Sequence, residues 1–320
     1  MALGEFELIR RFFTDQAVKH SSTVLGIGDD CALLRVEEGQ DLALTADTLV
    51  EGVHFLSAVD PESLGHKALA VNLSDLAAMG AKPKWVVLAL TLPHGDAAWL
   101  QSFAKGFFAL AERFGVELIG GDTTRGPLTI TVQALGLAPR NRALRRAGAS
   151  HGDLIYLTGE LGAAGLGLKI RQGRTGIEDR AAVLRLERPE PRVGVGIKLR
   201  GLASACIDVS DGLAADLGHI LEASGVGAAL DWDRLPLPDG VRHYVEETGD
   251  WRMPLSAGDD YELCFTVPPA NRDEIERRLA ADGVPFASIG RIEAKTGLRL
   301  FKDGQSIELS QDGYRHFSSD

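Results

Sequence analysis

Apolar residues in the first 140 positions recur with two different periods. Phe6, Ile9 and Phe13 fall at helical spacing, so Glu5 to Phe13 is expected as a short amphipathic helix. From Pro61 to about Gly80, Leu69, Leu73, Leu76 and Ala77 line one helical face and Asn72, Asp75 and Met79 another, which turns Asp75 away from the core. Gly80 and Pro83 stop that helix. Ala97 to Phe114 reads as a second long helix with Gly115 past its end. Strand patterns lie between and after them. Leu42 to Thr45 is expected to deliver Asp47 at its end, with Glu51 to Phe55 following as a loop or short strand. Trp85 to Leu92 is closed by Pro93, and Val116 to Ile119 runs into Gly120-Gly121-Asp122. Leu128 to Leu137 alternates, with Thr129, Thr131 and Gln133 opposite Ile130, Val132 and Ala134, the pattern of a half-buried antiparallel strand.

The pattern breaks between Ala138 and Asp153, where Pro139, Asn141, Gly148 and Gly152 interrupt structure and Arg140, Arg142, Arg145 and Arg146 cluster. The expected organisation is an N-terminal domain over residues 1–138, a linker over 139–152 and a C-terminal domain over 153–320, both α+β. The second half alternates strands (Leu154 to Thr158, Ala205 to Val209, Val226 to Leu230, Tyr261 to Val267, Phe286 to Ile292) with helices (after Gly159 to Gly167, up to Leu199, Leu213 to Ala223, Asn271 to Ala281). Arg174 to Arg180 reads as a polar loop and Lys302-Asp303-Gly304 as a hairpin turn.

Composition narrows the class. The chain has 320 residues, 45% of them hydrophobic, enough for two cored domains. A net charge of -11 argues against a nucleic-acid partner, which calls for a basic face. Trp85 to Leu92 is too short to span a bilayer, and Met1 to Glu7 is acidic without a signal-peptide core, so no membrane partner is expected. Cys31, Cys206 and Cys264 are isolated in apolar contexts, which suits a reducing cytoplasm.

The candidate chemistry is carboxylate chemistry. Asp29 and Asp30 sit side by side in Gly26-Ile27-Gly28-Asp29-Asp30-Cys31, and aspartates recur at Asp47, Asp75, Asp122, Asp208 and Asp211. Each stretch alone reads as an ordinary acidic turn. Together they form an oxygen-rich set suited to Mg²⁺, which in proteins usually accompanies phosphates. The arginine cluster is either a solvated linker or a phosphate clamp, and the residues alone leave both open. No P-loop, dinucleotide fingerprint or H-E-x-x-H occurs. Phosphoryl transfer, which needs mainly positioning and charge neutralisation, fits a chain with no Ser-His or Cys-His pair.

In order along the chain stand Gly26-Ile27-Gly28-Asp29-Asp30-Cys31-Ala32, Ala46-Asp47-Thr48-Leu49-Val50, Val71 to Ala81 (with Asn72-Leu73-Ser74-Asp75 inside it), Gly120-Gly121-Asp122-Thr123-Thr124, Asp208-Val209-Ser210-Asp211-Gly212 and Asp260-Tyr261-Glu262-Leu263. The set resembles the thiamine-monophosphate kinase family of the aminoimidazole ribonucleotide synthetase-like superfamily, across nearly the whole chain. The resemblance implies a two-domain α+β fold, a homodimer whose N-terminal strands pair across the two-fold axis, and ATP-dependent in-line phosphorylation of thiamine monophosphate with several Mg²⁺ ions, K⁺ being a further candidate cation. It implies metal roles for Asp30, Thr45, Ala46 (through its carbonyl), Asp47, Asp75, Asp122, Asp208 and Asp211, with Asp75, Asp122 and Asp211 central to catalysis and Asp29 in support of Asp30. It implies ATP contacts from Gly121, Asp122, Arg146 and Ser210, and thiamine-phosphate contacts from His54, Asp259 and Tyr314. Two positions depart from the family pattern. Ala46 stands where threonine is frequent, which keeps a carbonyl ligand and loses a hydroxyl. Asp259 stands where glutamate is frequent and is one methylene shorter, a gap that a water can bridge. The rival readings are another ATP-dependent synthetase of the superfamily, a non-catalytic Mg-nucleotide-binding protein and a two-metal phosphohydrolase. The terminal Phe317-Ser318-Ser319-Asp320 lacks the reactive cysteine that ends hydrogenase-maturation members.

Overall fold

The computed structural model describes residues 5–281 and 283–309. The chain divides into two compact units, residues 1–76 with 81–141 and residues 77–80 with 142–320. No helix among the described residues is long and apolar enough to cross a membrane.

The first unit holds α1 (Glu5–Phe12), β1 (Thr23–Leu25), β2 (Leu33–Leu34), β3 (Gln40–Val50), α2 (Pro61–Ala78), β4 (Lys82–Leu92), α3 (Ala97–Phe114), β5 (Glu117–Arg125) and β6 (Thr129–Pro139). Its main sheet has the order β3-β6-β4-β5, with β4 and β5 parallel and the other pairs antiparallel. The two-residue period sorts its faces. Leu88, Leu90, Ile130, Val132 and Ala134 are buried on the helix side. On the opposite, open side the hydroxyls of Thr48 and Thr131 meet at 2.9 Å and those of Thr91 and Thr124 at 3.0 Å. α3 starts on Asp96, whose side chain accepts the Ala98 and Trp99 N–H groups, and ends on Gly115 in the left-handed conformation. α2 and α3 cross so closely that a Cβ on Gly65 would stand 2.1 Å from the Phe103 carbonyl oxygen, and one on Gly106 1.8 Å from that of Glu62.

The segment before β1 straps the outer edge of β5. The Gln16 amide accepts the Leu118 N–H at 2.7 Å and donates to the Leu118 carbonyl at 2.6 Å, as a neighbouring strand would. Glu117 accepts the His20 N–H at 2.8 Å and the Thr23 hydroxyl at 2.6 Å.

Three expectations for this unit need correcting. β3 runs 11 residues, so Asp47 lies within the strand and not at its end. Its length follows the backbone ladder with β6, unbroken from Gln40 opposite Pro139 to Val50 opposite Thr129, whatever the polarity of the side chains. β5 likewise carries Gly120, Gly121 and Asp122 inside a strand that continues to Arg125. α2 is not two-faced: from Ser63 to Ala78 every residue except Asp75 is buried.

The second unit holds β7 (Leu154–Thr158), α4 (Ala163–Arg171), α5 (Arg180–Glu187), α6 (Val193–Leu199), β8 (Ala205–Asp208), α7 (Leu213–Ser224), β9 (Gly227–Asp231), α8 (Asp239–Thr248), α9 (Met253–Ser256), β10 (Leu263–Val267), α10 (Arg272–Ala280), β11 (Phe286–Glu293), β12 (Gly297–Lys302) and β13 (Gln305–Leu309). They form a mixed sheet of order β13-β12-β9-β11-β7-β10-β8. Every residue of β7, β8 and β10 is buried, as expected of strands covered on both faces. On one face Ile155, Leu157 and Cys264 join a core with Leu217 and Ile220 of α7 and Val241 of α8. On the other, Tyr156 stacks on Phe265 at 5.5 Å and donates its hydroxyl to Glu276 of α10 at 2.6 Å.

Here the polar stretch expected as a loop gives way to α5 at Arg180, and α8 is a helix that apolar spacing did not flag. Tyr261 does not open the strand. It holds a positive φ of 50°, and β10 starts at Leu263. The Asp303-Gly304 turn has positive φ at both residues, with Lys302 opposite Gln305, the geometry a two-residue hairpin loop needs.

Candidate active site

In the first unit β3 and α2 bring three of the expected metal ligands together. Thr45 and Asp47 project from the helix side of β3, two residues apart. Thr45 donates its hydroxyl to Asp75 Oδ2 on α2. The Asp47 N–H donates to Asn72 Oδ1 at 3.1 Å, and Asn72 Nδ2 donates to the Ala68 carbonyl at 3.1 Å. Asn72 is 0% exposed, so this amide ties β3 to α2 beneath the carboxylates. Asp75 is the half-buried exception on an otherwise covered helix, the point at which α2 opens to solvent. A hydroxyl and two carboxylates form an all-oxygen donor set, the chemistry a hard cation such as Mg²⁺ takes.

The turn after β3 carries His54. Its Nδ1 accepts the Val50 N–H at 3.0 Å, and the His54 backbone N–H donates to the Val50 carbonyl at 3.0 Å. A neutral ring accepting at Nδ1 carries its proton on Nε2. Asp29 and Asp30 are exposed, and Asp29 Oδ1 accepts the Asp30 N–H at 2.9 Å.

Asp122 and Ala46 lie elsewhere. Thr48, Thr131, Ala89 and Asp122 stand in one row across the sheet, so Asp122 occupies the open face. Asp47 and Asp75 sit on the other face, and three strand spacings of about 4.8 Å put Asp122 roughly 14 Å along the sheet from β3. Ala46 shares the open face, in the row of Gln133. Gly121 faces Leu88 so closely that a Cβ there would stand 1.9 Å from the Leu88 carbonyl oxygen. Among the described residues, no three His, Cys, Asp or Glu side chains are grouped to hold a metal ion.

In the second unit a loop crossing gathers Asp208, Ser210, Asp211 and Asp259. Asp208 ends β8, 3% exposed. Asp216, in the first turn of α7, accepts the N–H groups of both Ser210 and Asp211 on one oxygen, each at 3.0 Å. Burial pushes its carboxyl up to about 7, and Asp211 pushes it the same way, while those two N–H bonds and the nearby Arg146 charge pull it down. Opposite, the Asp259 N–H donates to the Ser210 carbonyl and the Tyr261 N–H to the Val209 carbonyl, both at 2.8 Å. Asp259 has a φ of 60°, and a Cβ on neighbouring Gly258 would stand 2.4 Å from the Ser210 carbonyl oxygen, so the crossing requires glycine there. Tyr314 lies outside the described residues.

Two further acids escaped sequence reasoning as individual residues. Both oxygens of Asp260 accept the Gly162 N–H, at 3.0 and 2.9 Å, and burial pushes its carboxyl up to about 8. Glu262, 0% exposed, accepts Thr158 Oγ1, Arg185 Nη2 and Arg192 Nε, each at 2.6 Å. Asp216 was silent for a different reason: it follows Leu213-Ala214-Ala215 and precedes Leu217. A lone acid in an apolar helical run was the available signal.

Two family descriptions match the chain: AIR synthase related protein, N-terminal domain, over residues 28–138, and AIR synthase related protein, C-terminal domain, over 150–303. The thiamine-monophosphate kinase of Escherichia coli (strain K12) is 50% identical over 324 residues, covering 100% of both chains. The crystal structure of thiamine-monophosphate kinase from Stenotrophomonas maltophilia K279a is similar with a TM-score of 0.83 at 45% identity, over 90% of this chain and 93% of that one. AaThiL complexed with AMPPCP and TMP is similar with a TM-score of 0.78 at 31% identity, over 88% and 89%.

Proposed function

The chain belongs to the thiamine-monophosphate kinase family of the AIR synthase related proteins, and from that premise we propose that it transfers the γ-phosphoryl group of ATP to thiamine monophosphate, giving ADP and thiamine diphosphate. The observation that carries the reading is full-length correspondence to kinases of this kind, with a similar structure solved holding AMPPCP and TMP. The acceptor is a phosphate monoester, largely ionised near neutral pH, so the chain need not supply a general base. Its work is to align donor and acceptor and to offset their charge.

Thr45, Asp47 and Asp75 would hold Mg²⁺, and Asp30, the Ala46 carbonyl, Asp122, Asp208 and Asp211 are the further metal ligands of this reading; K⁺ is its further cation. Bound there, the cations neutralise phosphate charge that otherwise repels the attacking oxygen. Arg146 offers its planar fork to ATP phosphates. Gly121, Asp122 and Ser210 contact the nucleotide; His54, Asp259 and Tyr314 contact thiamine phosphate. Residues 139–152 link an N-terminal domain to a C-terminal one.

The working form in this reading is a cytoplasmic homodimer. Two observations support a second copy on β3. Leu42 and Leu44 are exposed on this edge strand, Leu44 by 63%. Asp122 also lies on the face opposite Asp47 and Asp75 in its own sheet, so a second copy can complete what one sheet separates.

The direct experiment incubates the protein with ATP, Mg²⁺ and thiamine monophosphate and assays thiamine diphosphate. Product that depends on all three components is expected. A folded protein that gives none, or that releases inorganic phosphate without an acceptor, rejects the reading.

A further inference from the structure

One peptide unit in the second unit is held from both sides. The bond joining Ser210 to Asp211 carries the Asp211 N–H and the Ser210 carbonyl. The N–H donates to Asp216 Oδ2 at 3.0 Å, and the carbonyl accepts the Asp259 N–H at 2.8 Å. The same Asp216 oxygen takes the Ser210 N–H at 3.0 Å, so the preceding peptide is fixed as well. A buried carboxylate thus determines the plane of a peptide whose far end sets the position of Asp259. That residue needs such support. Its φ of 60° is uncommon for a residue with a side chain and persists only where surroundings over-determine it. The surroundings do so here. Gly212, at φ 110°, has no room for a Cβ against Ser256 (2.8 Å from its Cα), and Gly258 has none against the Ser210 carbonyl.

We propose that Asp216 is a positioning residue that sets the nucleotide-side loop Ser210–Asp211 and the substrate-side Asp259 together, through the single peptide plane they share. The inference rests on the kinase reading for what Ser210 and Asp259 touch. Nothing in it assigns Asp216 to either ligand. Its effect follows from acceptor placement: one oxygen must lie within hydrogen-bond reach of two successive N–H groups.

Two conservative variants separate placement from charge. Asp216→Asn keeps an acceptor oxygen in place and removes the charge. Asp216→Glu keeps the charge and displaces the oxygen by one methylene. With folding checked by thermal melts, KM for ATP and for thiamine monophosphate is expected to stay within about threefold in Asp216→Asn and to rise about tenfold for both substrates in Asp216→Glu, the scale at which small misplacements act. A tolerated Glu with an impaired Asn overturns the proposal, and so does a rise confined to one substrate. Hydrogen exchange on the unaltered protein tests it without a variant. The Ser210 and Asp211 amides are expected to be protected like strand amides, and rapid exchange overturns the clamp. If the unaltered protein makes no thiamine diphosphate, the kinase reading fails and takes the proposed role with it. If it is active and the variant order is reversed, the positioning role alone fails.

Discussion

Thr45 on β3 donates its hydroxyl to Asp75 on α2, joining a strand and a helix through two members of the oxygen donor set. The bond preorganises the carboxylate, since a donor on one oxygen fixes which lone pairs remain to face a metal. Asp75→Asn replaces the carboxylate proposed to hold Mg²⁺ by a neutral amide of the same shape. Turnover is expected to be abolished with the melting temperature nearly unchanged, checked by thiamine diphosphate assay and circular dichroism. Full activity in that variant would remove Asp75 from the metal site. Thr45→Val is expected to lower kcat about tenfold or more, as loss of a bond to a charged group usually does.

Asn72 is expected to matter for stability before chemistry. Asn72→Leu leaves the Asp47 N–H and the Ala68 carbonyl without this partner inside the unit. The expected loss is about 2 kcal/mol, read from urea unfolding midpoints. A loss below a few tenths would mean that water replaces both bonds.

Glu262 concentrates the second unit's buried charge. Three residues donate to it, one on β7, one on α5 and the one before α6. Glu262→Leu strands Arg185 and Arg192 beside an apolar group. It is expected to cost about 3 kcal/mol, moderated because both arginines can turn partly to water. Equilibrium denaturation would show it, and a variant as stable as the parent would contradict it.

Asp260 makes stability depend on pH in a definite sense. Burial holds its folded carboxyl up to about 8, against about 3.9 for an unfolded aspartate. Between these values the folded state keeps a proton that the unfolded state releases. The contribution is therefore full below about pH 4 and is lost as pH rises through about 8, with a slope of at most about 1.4 kcal/mol per unit. Asp260→Asn lacks this dependence. The stability gap between parent and variant should shift toward the variant from about pH 5 to about pH 8.5, and a constant gap would argue against the raised value.

Leu44 tests the assembly. Leu44→Asp puts a charge on an apolar edge position already open to solvent, so the folded unit has little to lose from it. Sedimentation is expected to show a monomer for the variant and a dimer for the parent. Equal masses would detach β3 from the interface.

How much of this could be read from sequence varies with how locally each feature is encoded. α3 was legible because Gly115 marks its end and a clear apolar stripe precedes it. β7 was legible because five apolar or β-forming residues stand between breakers. β3 was not, since Gln40, Asp41 and Asp47 are held in the strand by β6, about 90 residues away in sequence. The Asp75 assignment came from motif order and an apparent polar face. Of that face Asn72 proved buried, while Asp75 is half-buried and Met79, just past the helix end, is exposed. Asp216 and Glu262 were hidden because an acid's partners here are backbone N–H groups and arginines brought in by the fold. Nothing beside them in sequence distinguishes them from surface acids.

The Gln16 amide also determines how far association can go. By occupying the N–H and carbonyl of Leu118 it blocks the start of the β5 edge, while β3 forms the sheet's other edge. A sheet that can grow in one direction only accepts a single neighbour, and if that neighbour is a copy of itself, growth stops at two. Releasing the whole strap, the Glu117 bonds to His20 and Thr23 included, would give the sheet a second open edge, the condition under which chains polymerise instead of pairing.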